Sequence, residues 1–205
     1  MQAPTAAVFG PDGNFYVGDF TGDNVLRYDG SDGAFLDEFV AAGAGGIDGP
    51  DAGMMFGPDG DLYVPGFESN NVVRFDGETG IPIGDVLSSA GGASRPRGLL
   101  FRDDGWMYVA SWGNNRVLRV PPGGGAAEVF ATTVRPTGLE FDPATGDLLV
   151  ASDQSSVVRR YSPDGAFLGL AVGTGSGVDG GTWLALRPDP RLRLDWLDPG
   201  AAGTT

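Results

Sequence analysis

The chain has 205 residues, 27 acidic against 13 basic side chains, a formal net charge of −14, and neither cysteine nor histidine. That length fits one domain or one repeat array. The composition removes thiolate nucleophiles, disulfides, iron–sulfur ligation and imidazole bases or ligands, and because every basic residue is arginine, lysine-dependent phosphate loops and Schiff bases go as well.

The acidic balance repels phosphate backbones and anionic lipid, so nucleic acid is not an expected partner and no basic footprint for it exists. No apolar run reaches the roughly 18 residues of a membrane span, and Met1-Gln2-Ala3-Pro4 lacks the basic start and apolar middle of a signal peptide. No membrane insertion is expected. The charge itself reads as solubility, as Ca²⁺ capture by clustered Asp, or as adaptation to high salt.

In chain order, Ala6 to Phe9 is apolar, Gly10-Pro11-Asp12-Gly13 turns, Phe15 to Gly18 is a second strand, Val25 to Tyr28 a third and Phe35 to Val40 a fourth. Pro11 presets φ for the first corner of a tight turn and Gly13 suits its exit. The segment Phe9-Gly10-Pro11-Asp12-Gly13-Asn14-Phe15-Tyr16-Val17 returns 47 residues later as Phe56-Gly57-Pro58-Asp59-Gly60-Asp61-Leu62-Tyr63-Val64. Further copies start at Phe101 and Phe141, after 45 and 40 residues, and a fifth start lies at Trp183-Leu184-Ala185-Leu186. Short apolar runs bounded by such breakers, rich in Val, Tyr and Phe, favour strands, and no segment reads as a helix.

Units of this length with four strands each predict an all-β fold, a β-propeller of four-stranded blades. The blades are expected at about 4–49, 50–94, 95–134 and 135–180, with a partial fifth at 181–205 in one repeat domain. An open stack of hairpins is the alternative, at the cost of long free edges. The Gly175-Ser176-Gly177-Val178-Asp179-Gly180 spelling matches a dinucleotide loop, but no strand-to-helix context surrounds it, and Gly43 to Gly49 fills the corresponding link after the first unit; both read as connectors.

The Gly-Pro-Asp-Gly turns, the pairs Tyr16-Val17, Tyr63-Val64 and Tyr108-Val109, and Gly113-Asn114-Asn115-Arg116-Val117-Leu118-Arg119 make the chain resemble NHL-repeat propellers and the wider gluconolactonase-like superfamily, over about residues 4 to 187. That resemblance implies the propeller fold and a ligand face, and a location outside the cytoplasm, extracellular or at the cell surface. Such propellers close with six or so blades, whereas four and a fraction are counted here, so closure is left open. Gluconolactonase-like enzymes hold a divalent metal with Glu, Asn and Asp, the Asn coming from a Pro-Asn-Gly lead into an inner strand. Here Pro96-Arg97-Gly98 and Pro136-Thr137-Gly138 stand in its place, so lactonase activity is not implied, and His-dependent propeller lyases are excluded.

Residues repeated in every unit read as structural. Arg27, Arg74, Arg119 and Arg160 share one third-strand place and are expected to pair with backbone carbonyls or Asp between blades; Tyr16, Tyr63 and Tyr108 are core, and Asp12 and Asp59 form turns. Chemistry is sought where units differ, on the face built from the strand-two-to-three loops and the segments leading into strand one. The loops supply Asp19, Phe20, Asp23, Phe67, Glu68, Trp112, Asp153 and Gln154; the lead-in segments supply Thr5, Arg95, Arg97, Arg135, Thr137 and Trp183. Aromatics among Arg and carboxylates suit a sugar, peptide or small acid, although Phe20, Phe67 and Trp112, being equivalent, could equally plug gaps between blades.

Glu140 is the sharpest anomaly, an acid where its siblings are Val8, Met55, Leu100 and Ala185. Facing a wet channel it would bind a cation or act as a base of raised pKa; facing the core it would need a partner such as Arg135. The expected function is a non-enzymatic propeller module binding a protein, peptide or glycan through Asp19, Phe20, Phe67, Glu68, Arg97, Trp112, Glu140 and Asp153, without a cofactor. The alternatives are a metal-assisted hydrolase, with Ca²⁺ held by Glu140 and Asp19 or Asp153, and a purely architectural array.

Overall fold

The computed structural model describes residues 1–175. They form four antiparallel four-stranded sheets in strict chain order. Sheet one holds β1 (Pro4–Phe9), β2 (Phe15–Asp19), β3 (Asn24–Tyr28) and β4 (Phe35–Val40); sheet two holds β5 (Met55–Phe56), β6 (Leu62–Gly66), β7 (Asn71–Phe75) and β8 (Pro82–Leu87). Sheet three holds β9 (Pro96–Phe101), β10 (Met107–Ser111), β11 (Arg116–Val120) and β12 (Glu128–Thr132), and sheet four β13 (Pro136–Phe141), β14 (Leu148–Ser152), β15 (Val157–Tyr161) and β16 (Phe167–Val172). This is the all-β propeller architecture expected from the repeat. Helix is confined, among the described residues, to three short 3₁₀ turns at Ala44–Gly46, Ser89–Gly91 and Trp112–Asn114. The expected partial fifth blade, with Trp183, and all but Gly175 of the Gly175–Gly180 connector lie outside the described residues.

The two-residue period of a strand explains why the sheets stack. In sheet two, Leu62, Val64, Val73 and Phe75 point toward sheet one and join Tyr16, Val25 and Val40 in one buried cluster. Their alternating neighbours Tyr63, Val72 and Leu87 point the other way and join Met107, Val109, Leu118 and Val120 of sheet three. Tyr108, Val117 and Ala131 then meet Leu148, Val150 and Tyr161 of sheet four. Sheets two and three each bury both faces against their neighbours, which a lone amphipathic hairpin could not do. Among the described residues sheet one has a neighbour only on its Tyr16 side, and Phe9 and Phe35 stand 61% and 60% exposed.

The recurring Phe-Gly-Pro-Asp-Gly motif is now legible atom by atom. Phe56 meets Tyr16 of the preceding sheet edge-on at 5.0 Å, Phe101 meets Tyr63 at 4.8 Å and Phe141 meets Tyr108 at 5.1 Å. Such pairs contribute about 0.5–1.5 kcal/mol each beyond their buried area. The glycine after the phenylalanine is needed because a Cβ at Gly57 would come within 2.5 Å of the Tyr63 ring. Asp12 and Asp59 accept the Tyr16 and Tyr63 hydroxyls at 2.9 and 2.8 Å while bonding the backbone two residues on.

The third-strand arginines pair within their own sheets and not between blades. Arg27 bonds Asp37 at 2.5 Å, Arg74 bonds Asp59 and Asp61 at 2.8 and 2.6 Å, Arg119 bonds Glu128 at 2.9 Å, and Arg160 bonds Asp142 and Asp147 at 3.0 and 2.5 Å. The reason is register: Arg27, Arg74 and Arg119 sit directly across from Tyr16, Tyr63 and Tyr108, so each guanidinium reaches the carboxylates of its own hairpins first.

Candidate ligand-binding face

In this meander the β1–β2 and β3–β4 turns lie at one end of each sheet. The β2–β3 loops and the links that carry the chain into the next sheet lie at the other. One device recurs there. Asp23, Asn70 and Asn115 end their loops at φ 54°, 58° and 62°, the left-handed region that Asp and Asn tolerate. Their Oδ1 atoms accept the backbone N–H groups of Gly49, Arg95 and Arg135, each at 2.9 Å. Those three residues precede Pro50, Pro96 and Pro136, and are themselves left-handed at φ 66°, 47° and 39°.

Glycine takes that conformation freely, whereas an arginine there carries a strain of about 1–2 kcal/mol, and the following proline disfavours it further. The difference is occupied space: a Cβ at Gly49 would strike the Phe20 ring at 2.9 Å. At the two equivalent positions the side chain exists and lies over aromatic rings instead.

Those rings form a row, one per sheet. Phe20 and Phe67 have centroids 6.0 Å apart, and Phe67 and Trp112 5.6 Å apart; all three are half-buried. Arg95 lies over Phe67 at 5.4 Å and Trp112 at 6.0 Å, and Arg135 lies over Trp112 at 4.1 Å, within the range of cation–π attraction. Sheet four breaks the row with Asp153, whose Oδ2 accepts the Trp112 Nε1–H at 2.8 Å and lies 3.6 Å from Arg97. Arg97 also donates to the buried Asp51 at 2.9 Å.

At the far end of the row Asp23, Asp48 and Glu68 gather. The Asp48 carboxyl is pushed above its usual value, first by desolvation and then by the charges of Asp23 and Glu68. The face is therefore bipolar, acidic near Phe20 and cationic near Trp112.

The structure thus brings Phe20, Phe67, Trp112, Arg97 and Asp153 together, with exposed Glu68 at the rim. Asp19 stands apart: it is buried, and its two oxygens accept the N–H groups of Gln2 and Ala3 at 2.6 and 2.7 Å. Burial works to raise its pKa, but these bonds and one from Gly22 hold it below the ordinary value. Ser111 and Ser152, at the same place in later sheets, fasten the incoming chain through Ser94 and Val134. Asp19 is thereby placed as a fastener.

Glu140 lies on the side of sheet four that bears Leu149, Ala151 and Val158, the side corresponding to Tyr16 in sheet one. Burial raises its pKa, partly countered by the Phe141 N–H, which donates to Oε1 at 3.1 Å. Arg135 is over Trp112. Among the described residues no group of three acidic side chains is placed to hold a metal ion.

Asp51 is the residue that sequence reasoning missed. It holds the place that Thr5, Arg97 and Thr137 hold in Pro4-Thr5, Pro96-Arg97 and Pro136-Thr137, and aligning the four Pro-x pairs would have found it.

No protein-family model matches the chain, and no curated protein matches it. Solved structures do. Virginiamycin B lyase from Staphylococcus aureus superposes with a TM-score of 0.66 at 12% identity, over 85% of this chain and 57% of its own. A structural-genomics protein provisionally labelled a gluconolactonase gives 0.71 at 17% identity, over 91% and 69%. A calcium-binding protein, regucalcin, from Agrobacterium tumefaciens gives 0.68 at 20%, over 89% and 63%. The chain spans somewhat under three-fifths of the length of that lyase. These likenesses, together with the four stacked sheets, establish the fold as a β-propeller.

Proposed function

We propose that the chain is a non-enzymatic propeller module that binds a protein, peptide or glycan on its loop face, at an extracellular or cell-surface location. The observation that carries this reading is the half-exposed row Phe20–Phe67–Trp112 with two guanidinium groups laid on it. Aromatic surface flanked by charged groups gives a ligand apolar area and direction together. A thermal-shift screen of short peptides and neutral and acidic oligosaccharides tests it, since a ligand bound only by the native state raises Tm with concentration. Trp112→Ala should weaken any such binding at least tenfold, and a wild-type protein that responds to nothing in the screen contradicts the reading.

The likeness to proteins described as a gluconolactonase and as calcium-binding supports a second reading, a metal-assisted hydrolase using Glu140 with Asp19 or Asp153. A Ca²⁺ arm in the same screen separates the two: a Tm rise with Ca²⁺ that Glu140→Gln abolishes favours the hydrolase.

A further inference from the structure

We propose that Arg95 and Arg135, laid over Phe67 and Trp112, receive the carboxylate of a charge-balanced peptide. The inference rests on the loop face being a binding surface and names the ligand class for it.

Three observations converge. The first is pairing. In a chain with 27 acidic side chains, Arg27, Arg74, Arg97, Arg102, Arg119 and Arg160 each lie within ion-pair distance of a carboxylate. Arg95 and Arg135 make no ion pair among the described residues. Arg116 and Arg159 make none either, but Arg116, exposed like Arg95, does not share the Trp112 ring, and Arg159 donates to Ser155 at 2.9 Å. Arg95 and Arg135 differ in being adjacent, both within about 6 Å of one indole ring.

The second is strain. Both arginines occupy a left-handed position that the first link fills with Gly49, and a costly backbone conformation kept at a side-chain-bearing residue points to a use for that side chain.

The third is geometry. A guanidinium lying on a ring face through cation–π contact keeps its N–H edge free, and that edge matches a carboxylate with two parallel hydrogen bonds.

Charge selects the ligand. With a net charge of −14 the protein repels a polyanion such as a polyuronate. A peptide carrying one acidic and one basic group is not repelled, and the face offers both poles: Arg95 and Arg135 at the Trp112 end, Asp23, Asp48 and Glu68 at the Phe20 end, with aromatic rings between. The acidic side chain of the peptide would sit on the arginines and its lysine or arginine would reach the acidic rim.

Calorimetry tests this with peptides of the form Lys-(Gly)n-Tyr-(Gly)n-Glu, acetylated at the N-terminus and amidated at the C-terminus, with n from one to three, their Gln counterparts, and tri-galacturonate. The expected result is that at least one Glu peptide binds at least tenfold more tightly than its Gln counterpart. Arg95→Gly and Arg135→Gly should each remove most of that difference while keeping Tm within about 4 °C of the parent, because glycine relieves the strain as the stacking is lost. Arg135→Lys, which keeps the charge but not the planar fork, should fall between. Equal binding of Glu and Gln peptides, binding indifferent to both Gly variants, or binding of tri-galacturonate alone would overturn the inference and leave the broader binding reading intact. Absence of binding to every probe would overturn the inference and count against the broader reading with it.

Discussion

The protein uses arginine in two ways, at opposite ends of the same sheets. At the turn end, Arg27, Arg74, Arg119 and Arg160 recur at one register position and each is tied to carboxylates of its own sheet. At the loop end, Arg95 and Arg135 lie on aromatic rings in a strained backbone conformation, with no carboxylate partner among the described residues. The first set repeats because every blade must solve the same packing problem. The second set departs from the glycine of the first link, and it does so where the units differ in the row Phe20, Phe67, Trp112, Asp153. In a repeat array, regularity marks what holds the sheets together, and its interruption marks what the array holds out to a ligand.

If that division is right, the turn-end set should matter for stability in proportion to how deeply its carboxylates lie. Arg160→Met leaves Asp142, 2% exposed, and Asp147, 10% exposed, without their counter-charge. Discounted for the partial exposure of the arginine itself, the loss should be about 2 kcal/mol in denaturant unfolding.

Glu140 offers a control of opposite sign, an interruption on a packing face. Glu140→Met, matching its sibling Met55, should stabilise by about 1 kcal/mol at pH 7 by removing a desolvated carboxylate. Because burial raises the folded pKa of Glu140 above 4.5, its carboxyl favours folding when protonated. That contribution is fully present below pH 4.5 and is lost as pH rises through the raised value, so the advantage of Glu140→Met should shrink as the pH is lowered toward 4.5. Thermal melts from pH 4 to 8 check it. Smallest of all, Arg27→Met should cost less than about 1 kcal/mol, since its partner Asp37 is 45% exposed and already solvated.

Much of the fold was written in the spacing of the chain. The return of Phe-Gly-Pro-Asp-Gly before Tyr-Val encodes a contact network whose every member has an identifiable task, from the ring pair Phe56–Tyr16 to the hydroxyl caught by Asp12, so strands and turns followed directly. The site was less legible. The aromatic row could be read because Phe20, Phe67 and Trp112 occupy equivalent places. Asp51 was hidden because Ala52 adds a residue before Gly53 and β5 is shortened to Met55–Phe56, which blurs the repeat at that point. The left-handed backbone of Arg95 and Arg135 is not written in residue type at all, since it is imposed by hydrogen bonds from their N–H groups to Asn70 and Asn115 across the sequence. The arginine series was recognisable as structural, yet its partners depended on cross-strand register, which placed them within sheets.

The division between the two arginine sets is tested most directly by comparing the unfolding free energies of Arg160→Met and the double variant Arg95→Gly/Arg135→Gly. The account predicts a loss of about 2 kcal/mol for the first and a change within about 1 kcal/mol for the second, strain relief offsetting the lost stacking and the added freedom of the unfolded chain. A double variant as destabilised as Arg160→Met would contradict it, because Arg95 and Arg135 would then be holding the blades together like the rest.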